Sequence, residues 1–172
     1  MNMKEQTVSK NYVYKGRIIK VRNDDALLPN GKPCKREVVE HNGGASVLAV
    51  DTENFCYLVR QFRYPYGEEL LEIPAGKLEL GENPKACAIR ELAEEAGLSA
   101  KDIKPLCQIY PTPGYSSEII YIYLATEFIP CDTNPDEDEF LNLVKMPLSR
   151  AKSMALDGTI KDAKTIIALL KV

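Results

Sequence analysis

Strands interleaved with helices, in an order that leaves helices for both faces of a sheet, predict an α/β/α sandwich built on a mixed sheet. Three observations carry this prediction. The run Glu118–Phe128 (EIIYIYLATEF) is rich in β-branched and aromatic residues and reads as a strand. Residues 84–96 form a helix with start and stop signals at both ends. Residues 149–156 and 162–171 read as two further helices, the last with apolar Ile166, Ile167, Leu169 and Leu170. A chain of 172 residues suits one compact domain with its own core. A small appendage of N-terminal strands, residues 1–42, is expected before a main domain at 43–172.

The earlier elements follow in order. Tyr12–Val21 and Cys34–His41 read as strands joined through the turn Pro29-Asn30-Gly31-Lys32. Both are thinly apolar and need the main body or a second subunit to cover them. Ala45–Val50 and Phe55–Arg60 flank the polar turn Asp51-Thr52-Glu53-Asn54, a hairpin pattern. Leu70–Ile73 is a short strand feeding Pro74-Ala75-Gly76, and another strand is expected from Ile103 to Tyr110. The acidic stretch 130–139 (PCDTNPDEDE) reads as a loop before a short strand at Leu141–Val144.

Composition excludes several classes. A net charge of −3 without a basic cluster argues against a dedicated nucleic-acid binder. No apolar run approaches the ~18 residues that cross a bilayer, and the opening MNMKEQTVSK has no signal-peptide core. Cys34, Cys56, Cys87, Cys107 and Cys131 are scattered, with no CxxC pair. Free thiols in a reducing cytoplasm are therefore expected. His41, the lone histidine, lies in a turn-like HNGG context and lacks partners for nucleophilic catalysis.

The chemistry concentrates in Gly76–Leu98, GKLELGENPKACAIRELAEEAGL. Asn83 is the expected N-cap, Pro84 suits the first turn, and Gly97 suits a left-handed helix end. Ile89, Leu92, Ala93 and Ala96 recur at helical spacing and define the expected packing face. Glu91, Glu94 and Glu95 point the other way, within roughly 100° of one another at 3.6 residues per turn. Glu91 and Glu95 are a like-charge i,i+4 pair near a helix end that already disfavours anions. Arg90 can offset part of this by pairing with Glu94. On the three glutamates alone, a solvated charged face is favoured over a carboxylate cage for a hard divalent cation.

The whole pattern reverses that preference. Gly76, Glu82, Arg90, Glu91, Glu94, Glu95 and Gly97, with apolar Leu92 and Leu98, resemble the Nudix hydrolase signature at every fixed position. Seven fixed identities arise by chance with odds on the order of one in 10⁸ per start position. The resemblance implies an α/β/α fold and hydrolysis of a nucleoside diphosphate linked to another group. It implies Mg²⁺, with Mn²⁺ as a substitute, held by Glu91, Glu94, Glu95 and the Ala75 carbonyl. Glu82 is a supporting or metal-loop candidate, and Arg90 orients the glutamates. Gly76 and Gly97 serve tight backbone positions.

The flanks resemble the ADP-ribose pyrophosphatases within that family. Pro113 stands fifteen residues past Leu98, followed by Gly114, in YPTPGYSSE. Leu58–Glu79 (LVRQFRYPYGEELLEIPAGKLE) and Gly158–Thr165 (GTIKDAKT) resemble the same group. Taken alone, Pro113 is equally a turn residue between strands. Arg60 and Arg63 stand among aromatics, and a guanidinium matches a diphosphate bidentately. A surface ion pair is the alternative for either, and the resemblance selects Arg63. The adenine platform must be Tyr or Phe, with Tyr12, Tyr14 and Tyr64 as candidates or as core residues.

The resemblance further implies a homodimer that exchanges its N-terminal strands, with Arg36 a candidate substrate contact from the partner subunit. It implies a general base in the acidic loop, where Glu137 and Glu139 hold the matching positions, with Glu94 or Glu82 next in line. The expected reaction takes ADP-ribose to AMP and ribose 5-phosphate. An ADP-hexose or GDP-sugar is the alternative substrate, and a non-catalytic Nudix-like ligand sensor is the rival from another class. Such sensors usually lose a signature glutamate and carry a DNA-binding module, and this sequence shows neither change.

Overall fold

A computed structural model describes residues 2–134 and 140–172, so Glu137 and Glu139 lie outside the described residues. The chain divides into two compact units.

The first unit comprises residues 2–43 and 110–119. Its strands are β1 (Gln6–Ser9), β2 (Tyr12–Lys15), β3 (Lys20–Leu27) and β4 (Pro33–Glu40). All pairings are antiparallel, with β1 and β2 sharing one edge of β3 and β4 on the other. The expected single strand Tyr12–Val21 is thus two strands. They are divided at Gly16, whose N–H donates to the Ile19 carbonyl (2.9 Å). A Cβ at Gly16 would stand 2.6 Å from the Tyr14 ring, so glycine lets that aromatic fold over the turn. The full length of β3 escaped sequence reading because its inward positions include charge. Arg22, Asp24 and Ala26 are buried in alternation, with Arg22 paired to Asp24 (3.5 Å) and Glu40 (3.1 Å). The turn at Gly31 (φ +80°) closes β3 onto β4 as read.

Residues 112–117 extend this unit by running beside β4. The Val39 N–H donates to the Tyr115 carbonyl (2.8 Å), and the Ser117 N–H donates to that of Val39 (2.9 Å). His41 accepts the Gly43 N–H through Nδ1 (3.0 Å) and stands 3.5 Å from Glu118, a turn-holding role.

The second unit, residues 44–109 and 120–172, holds the main sheet. Its elements begin with β5 (Gly44–Val50), β6 (Phe55–Arg63), β7 (Glu68–Glu72), β8 (Ala75–Lys77) and helix α1 (Pro84–Ala96). They continue with β9 (Leu98–Ala100), β10 (Lys104–Ile109), β11 (Ile120–Ala125), β12 (Phe128–Pro130), β13 (Leu141–Pro147), α2 (Leu148–Leu156) and α3 (Ala163–Lys171). The main path is β10-β11-β5-β6-β13, with β7 on β6 and β8 on β5; β9 and β12 form a separate pair. Among the described strands of this sheet only β11 and β5 run parallel, so the sheet is mixed.

Strand β5 is buried along its whole length because both faces are covered. Ala45, Val47 and Ala49 pack with Cys87, Ala88, Leu92 and Ala96 of α1. Leu48 and Val50 pack with Ala151 and Ala155 of α2 and with Ala168 and Leu169 of α3. This alternation gives the α/β/α sandwich expected from the sequence. Fully buried Leu48, Leu58 and Leu92 each stabilise it by about 1.5–3 kcal/mol. The β5–β6 hairpin is fixed by Asp51, whose Oδ1 accepts the Glu53 and Phe55 N–H groups, and by Asn54 at φ +61°. Among the described residues, no helix is long and apolar enough to cross a membrane.

Two helix faces differ from expectation. On α1 the buried residues are Cys87, Ala88, Glu91, Leu92, Glu95 and Ala96, so Glu91 and Glu95 face inward, while Ile89 and Ala93 are only partly buried. On α3, Lys164 and Thr165 are buried with Ala168 and Leu169, and Leu170 is half exposed.

Candidate active site

The site forms where the β7 end, β8 and α1 meet. The Pro74 carbonyl accepts the Val47 N–H (3.0 Å), and β8 pairs Ala75 with Ser46 and Gly76 with Ala45. The short strand is thereby locked to the most buried strand of the sheet. Helix α1 starts and ends as the sequence predicts. Asn83 Oδ1 caps the N–H groups of Lys85 (2.9 Å) and Ala86 (3.4 Å). Gly97 (φ +63°) donates to the Ala93 carbonyl (3.1 Å), and a Cβ there would meet the Cys131 carbonyl at 2.9 Å.

These fixed ends aim the glutamates at backbone. Glu95 Oε2 accepts the Ala75 N–H (2.9 Å). The Glu91 carboxylate lies against Gly76, where a Cβ would fall 1.7 Å from Oε1. Any side chain at position 76 would evict Glu91, so the glycine is required for close approach. Arg90 Nη1 donates to Glu91 Oε1 (2.8 Å) and Glu94 Oε2 (2.7 Å), and Nε reaches Glu82 Oε1 (3.4 Å). Glu82 Oε2 in turn accepts the Glu79 N–H (2.9 Å), closing the loop before the helix. Burial pushes the Glu82 carboxyl up, but the Glu79 N–H and Arg90 outweigh it and leave it below the ordinary range. Burial alone would lower the Arg90 pKa, yet Glu91, Glu94 and Glu82 together raise it.

The arrangement gathers hard oxygen donors on a rigid helix, two of them buried, beside the backbone of Ala75 and Gly76. Such a donor set fits Mg²⁺ or Mn²⁺ better than a soft metal. Among the described residues, no three acidic, histidine or cysteine side chains surround a single point; Arg90 stands between Glu91 and Glu94 instead. The nearby Cys87 thiol is pushed up to about 12 by burial, then by Glu82 and Glu91. It is an inert packing residue.

The predicted arginines separate. Arg60 and Arg63 are an odd number apart on β6, so strand alternation sends them to opposite faces. Arg63 donates from Nε (2.6 Å) and Nη2 (2.7 Å) to the two oxygens of Glu72 on β7. Glu72 raises the Arg63 pKa against the effect of burial, and Asp162 and Glu95 add to it through their charges. Arg63 is thus within electrostatic reach of a signature glutamate. Glu72, Asp162 and Lys164 were missed by sequence reading. A lone acid inside the apolar LLEIP run was the available signal. Arg36, on β4 of the first unit, pairs with Glu5 (2.8 and 2.5 Å). Pro113 and Gly114 belong to the segment beside β4 in that unit, where space is open around Gly114. Tyr12, Tyr14 and Tyr64 are exposed, so none is a core residue.

Residues 40–169 match the family described as the NUDIX domain, and residues 5–39 match the nucleoside diphosphate sugar hydrolase N-terminal domain. The chain belongs to the Nudix family. It is 39% identical over 170 residues to the ADP-ribose pyrophosphatase of Bacillus subtilis (strain 168), covering 98% of this chain and 92% of that protein. It is also 39% identical over 167 residues to the methanol dehydrogenase activator of Bacillus methanolicus, covering 96% and 90%. A solved structure titled as an ADP compounds hydrolase superposes with a TM-score of 0.85 at 25% identity, covering 99% of this chain and 92% of that one. The Nudix signature on β8 and α1 falls wholly inside the matched domain.

Proposed function

We propose that this Nudix hydrolase cleaves the pyrophosphate bond of ADP-ribose, giving AMP and ribose 5-phosphate. The observation that carries the reading is the inward pair Glu91 and Glu95, seated on the backbone of Gly76 and Ala75. The substrate is supported by the near full-length likeness to an ADP-ribose pyrophosphatase. Nudix hydrolases are generally divalent-metal dependent. Glu91, Glu94, Glu95 and the Ala75 carbonyl would hold Mg²⁺, or Mn²⁺ in its place. That ion, when bound, neutralises phosphate oxygens and acidifies the attacking water.

The chain's own residues supply the rest. Arg90 and Glu82 fix the glutamates, as supporting partners fix metal ligands in general. Arg63 presents Nη1, which has no hydrogen-bond partner among the described residues, to the diphosphate. Arg60, the other diphosphate candidate, lies on the opposite face of β6 from Arg63. A loop carboxylate, Glu137 or Glu139, takes the proton of the attacking water, with Glu94 as the next candidate. The water oxygen then bonds to phosphorus while the bridging P–O bond breaks, and the leaving phosphate keeps the bridging oxygen. The stem of the acidic loop supports this base: the Asn134 N–H donates to the Glu94 carbonyl (3.2 Å), and that of Cys131 to Gly97 (2.8 Å).

The appendage at 1–42 forms a homodimer by exchanging N-terminal strands, and Arg36, Pro113 and Gly114 are further candidate substrate contacts. Exposed Val8, Val13, Tyr14 and Ile18 support a covered surface there. Five free thiols support a reducing, cytoplasmic setting. The match at residues 5–39 favours a second reading, a wider nucleoside diphosphate sugar specificity.

The test is turnover of ADP-ribose, ADP-glucose, GDP-mannose and NADH with Mg²⁺ and with Mn²⁺. ADP-ribose should give the highest kcat/KM. A GDP-sugar preferred by about tenfold, or 1.4 kcal/mol, would move the assignment to the second reading.

A further inference from the structure

Outside the signature, one chain of paired charges links α3 to Arg63. Asp162 caps α3 through Oδ2, which accepts the Thr165 N–H (2.9 Å) and hydroxyl (2.5 Å). Its Oδ1 accepts from Lys164 Nζ (2.9 Å), and Lys164 also donates to Glu72 Oε2. Glu72 then receives the Nε–Nη2 edge of Arg63. The order is anion, cation, anion, cation, drawn from α3, β7 and β6.

The burial is uneven in an informative way. The side chain of Glu72 is 1% exposed and that of Lys164 8%, whereas that of Arg63 is 37% exposed. A carboxylate so enclosed must be fully paired, and one cation fork satisfies only one side of it. Lys164 adds a second donor to Oε2 and is itself held by the helix cap, Asp162. The guanidinium at the end therefore has its Nε–Nη2 edge committed, while Nη1 has no hydrogen-bond partner among the described residues. Three of its neighbours, Glu72, Asp162 and Glu95, act on its charge, and Glu95 belongs to the signature. An arginine without this chain would sample many rotamers, and ordering it on binding would weaken binding by up to about tenfold.

We propose that Lys164, acting through Glu72, is a positioning residue for Arg63, so that the start of α3 sets the direction in which the guanidinium meets the substrate's diphosphate. This rests on the reading of the site as a nucleoside diphosphate sugar hydrolase. Lys164 touches no reacting atom. Its effect is to spare the substrate the ordering of Arg63, which belongs to binding and not to the chemical step.

The test is a mutant cycle in the full-length protein, read as KM and kcat separately. Lys164→Met should raise KM about tenfold with kcat within about threefold of wild type. Arg63→Lys should raise KM comparably. The Arg63→Lys/Lys164→Met double variant should match Arg63→Lys within about twofold, because the two act as one unit. A KM defect that multiplies in the double variant, or equal losses of kcat in Lys164→Met, would overturn the proposal in favour of a purely structural staple. Glu72→Gln/Lys164→Met removes both buried charges and keeps the fold testable should Lys164→Met unfold; it should show the same KM defect. Leu169→Ala, a core change on the same helix, should lose stability and keep KM.

A second readout is independent of turnover. In ¹⁵N spectra the Arg63 Nε–H, assigned by its loss in Arg63→Lys, should be slow to exchange in wild type and fast in Lys164→Met. An unchanged Arg63 signal would overturn the positioning role even where activity falls. A wild-type protein that hydrolyses no nucleoside diphosphate sugar would overturn the functional reading, and the Nε–H signal would still decide the role of Lys164.

Discussion

Two charge clusters share the second unit, and they are assembled in opposite ways. Around Arg90, every charged member but Glu82 comes from one helix, and Glu82 lies just before it. Around Glu72, the members come from β6, β7 and the cap of α3, up to 101 residues apart in the chain (Arg63 to Lys164). The first is local and the second tertiary. Helical spacing alone can bring Glu94 to Arg90 at i,i+4 and to Glu91 at i,i+3. Nothing local brings Lys164 to Glu72; only the packing of α3 on the sheet does. The local cluster gathers like charge beside the backbone of Gly76, an arrangement suited to a ligand. The tertiary cluster alternates charge and satisfies itself, an arrangement suited to holding one side chain still.

The comparison predicts unequal consequences of substitution. The largest should follow Glu95→Gln, where the amide oxygen can still accept the Ala75 N–H but no longer offers a charged oxygen to a metal. Losing several kcal/mol of transition-state stabilisation corresponds to a fall in kcat of roughly 10³–10⁵-fold. The metal-free melting temperature should hold or rise, since a like-charge pair is relieved. Wild-type turnover by this variant would remove Glu95 from the metal site.

Next in size are Glu137→Gln and Glu139→Gln. The one that replaces the base should lower kcat roughly 10²–10⁴-fold with little change in KM, and flatten the acidic limb of the pH–rate profile. Near-normal kcat in both would shift the base to Glu94 or Glu82 and return the chemistry to the local cluster.

The smallest effect separates the clusters by acid. Burial pushes the Glu72 carboxyl up from 4.5, and Arg63 with Lys164 more than reverses this, so its folded pKa is lowered. Its stabilisation is therefore fully present above the unfolded value near 4.5 and is lost as pH falls through the lower folded value. Melting temperature should drop over that acidic window in wild type and drop less in Glu72→Gln/Lys164→Met. Parallel curves for the two proteins would show that Glu72 gains no stability from its partners.

Much of the site was legible because its geometry is local. Asn83, Pro84 and Gly97 bound a helix whatever it packs against, and i, i+3, i+4 spacing fixes which glutamates share a side. The hairpin at Asp51–Asn54 was equally legible from turn chemistry. The N-terminal strands were less so. Inward Arg22 and Asp24 broke the apolar alternation that marks a half-buried strand, and Gly16 divided a run that reads as continuous. The acidic loop was legible as a base only through likeness; in the structure its stem is tied to Glu94 and Gly97 through the Asn134 and Cys131 N–H groups.

The sequence by itself determined where α1 begins and ends, which glutamates cluster on it, and that helices are available for both faces of a sheet. The tertiary structure decided which side of α1 is inside. Polar residues look solvent-facing when only their type is read, yet Glu91 and Glu95 turn inward because Gly76 leaves room for one and the Ala75 N–H requires the other. It also decided that Arg63 is held and Lys164 buried. A helix cap is set by bonds spanning four residues, whereas the burial of a charge is set by whichever distant strand supplies its partner.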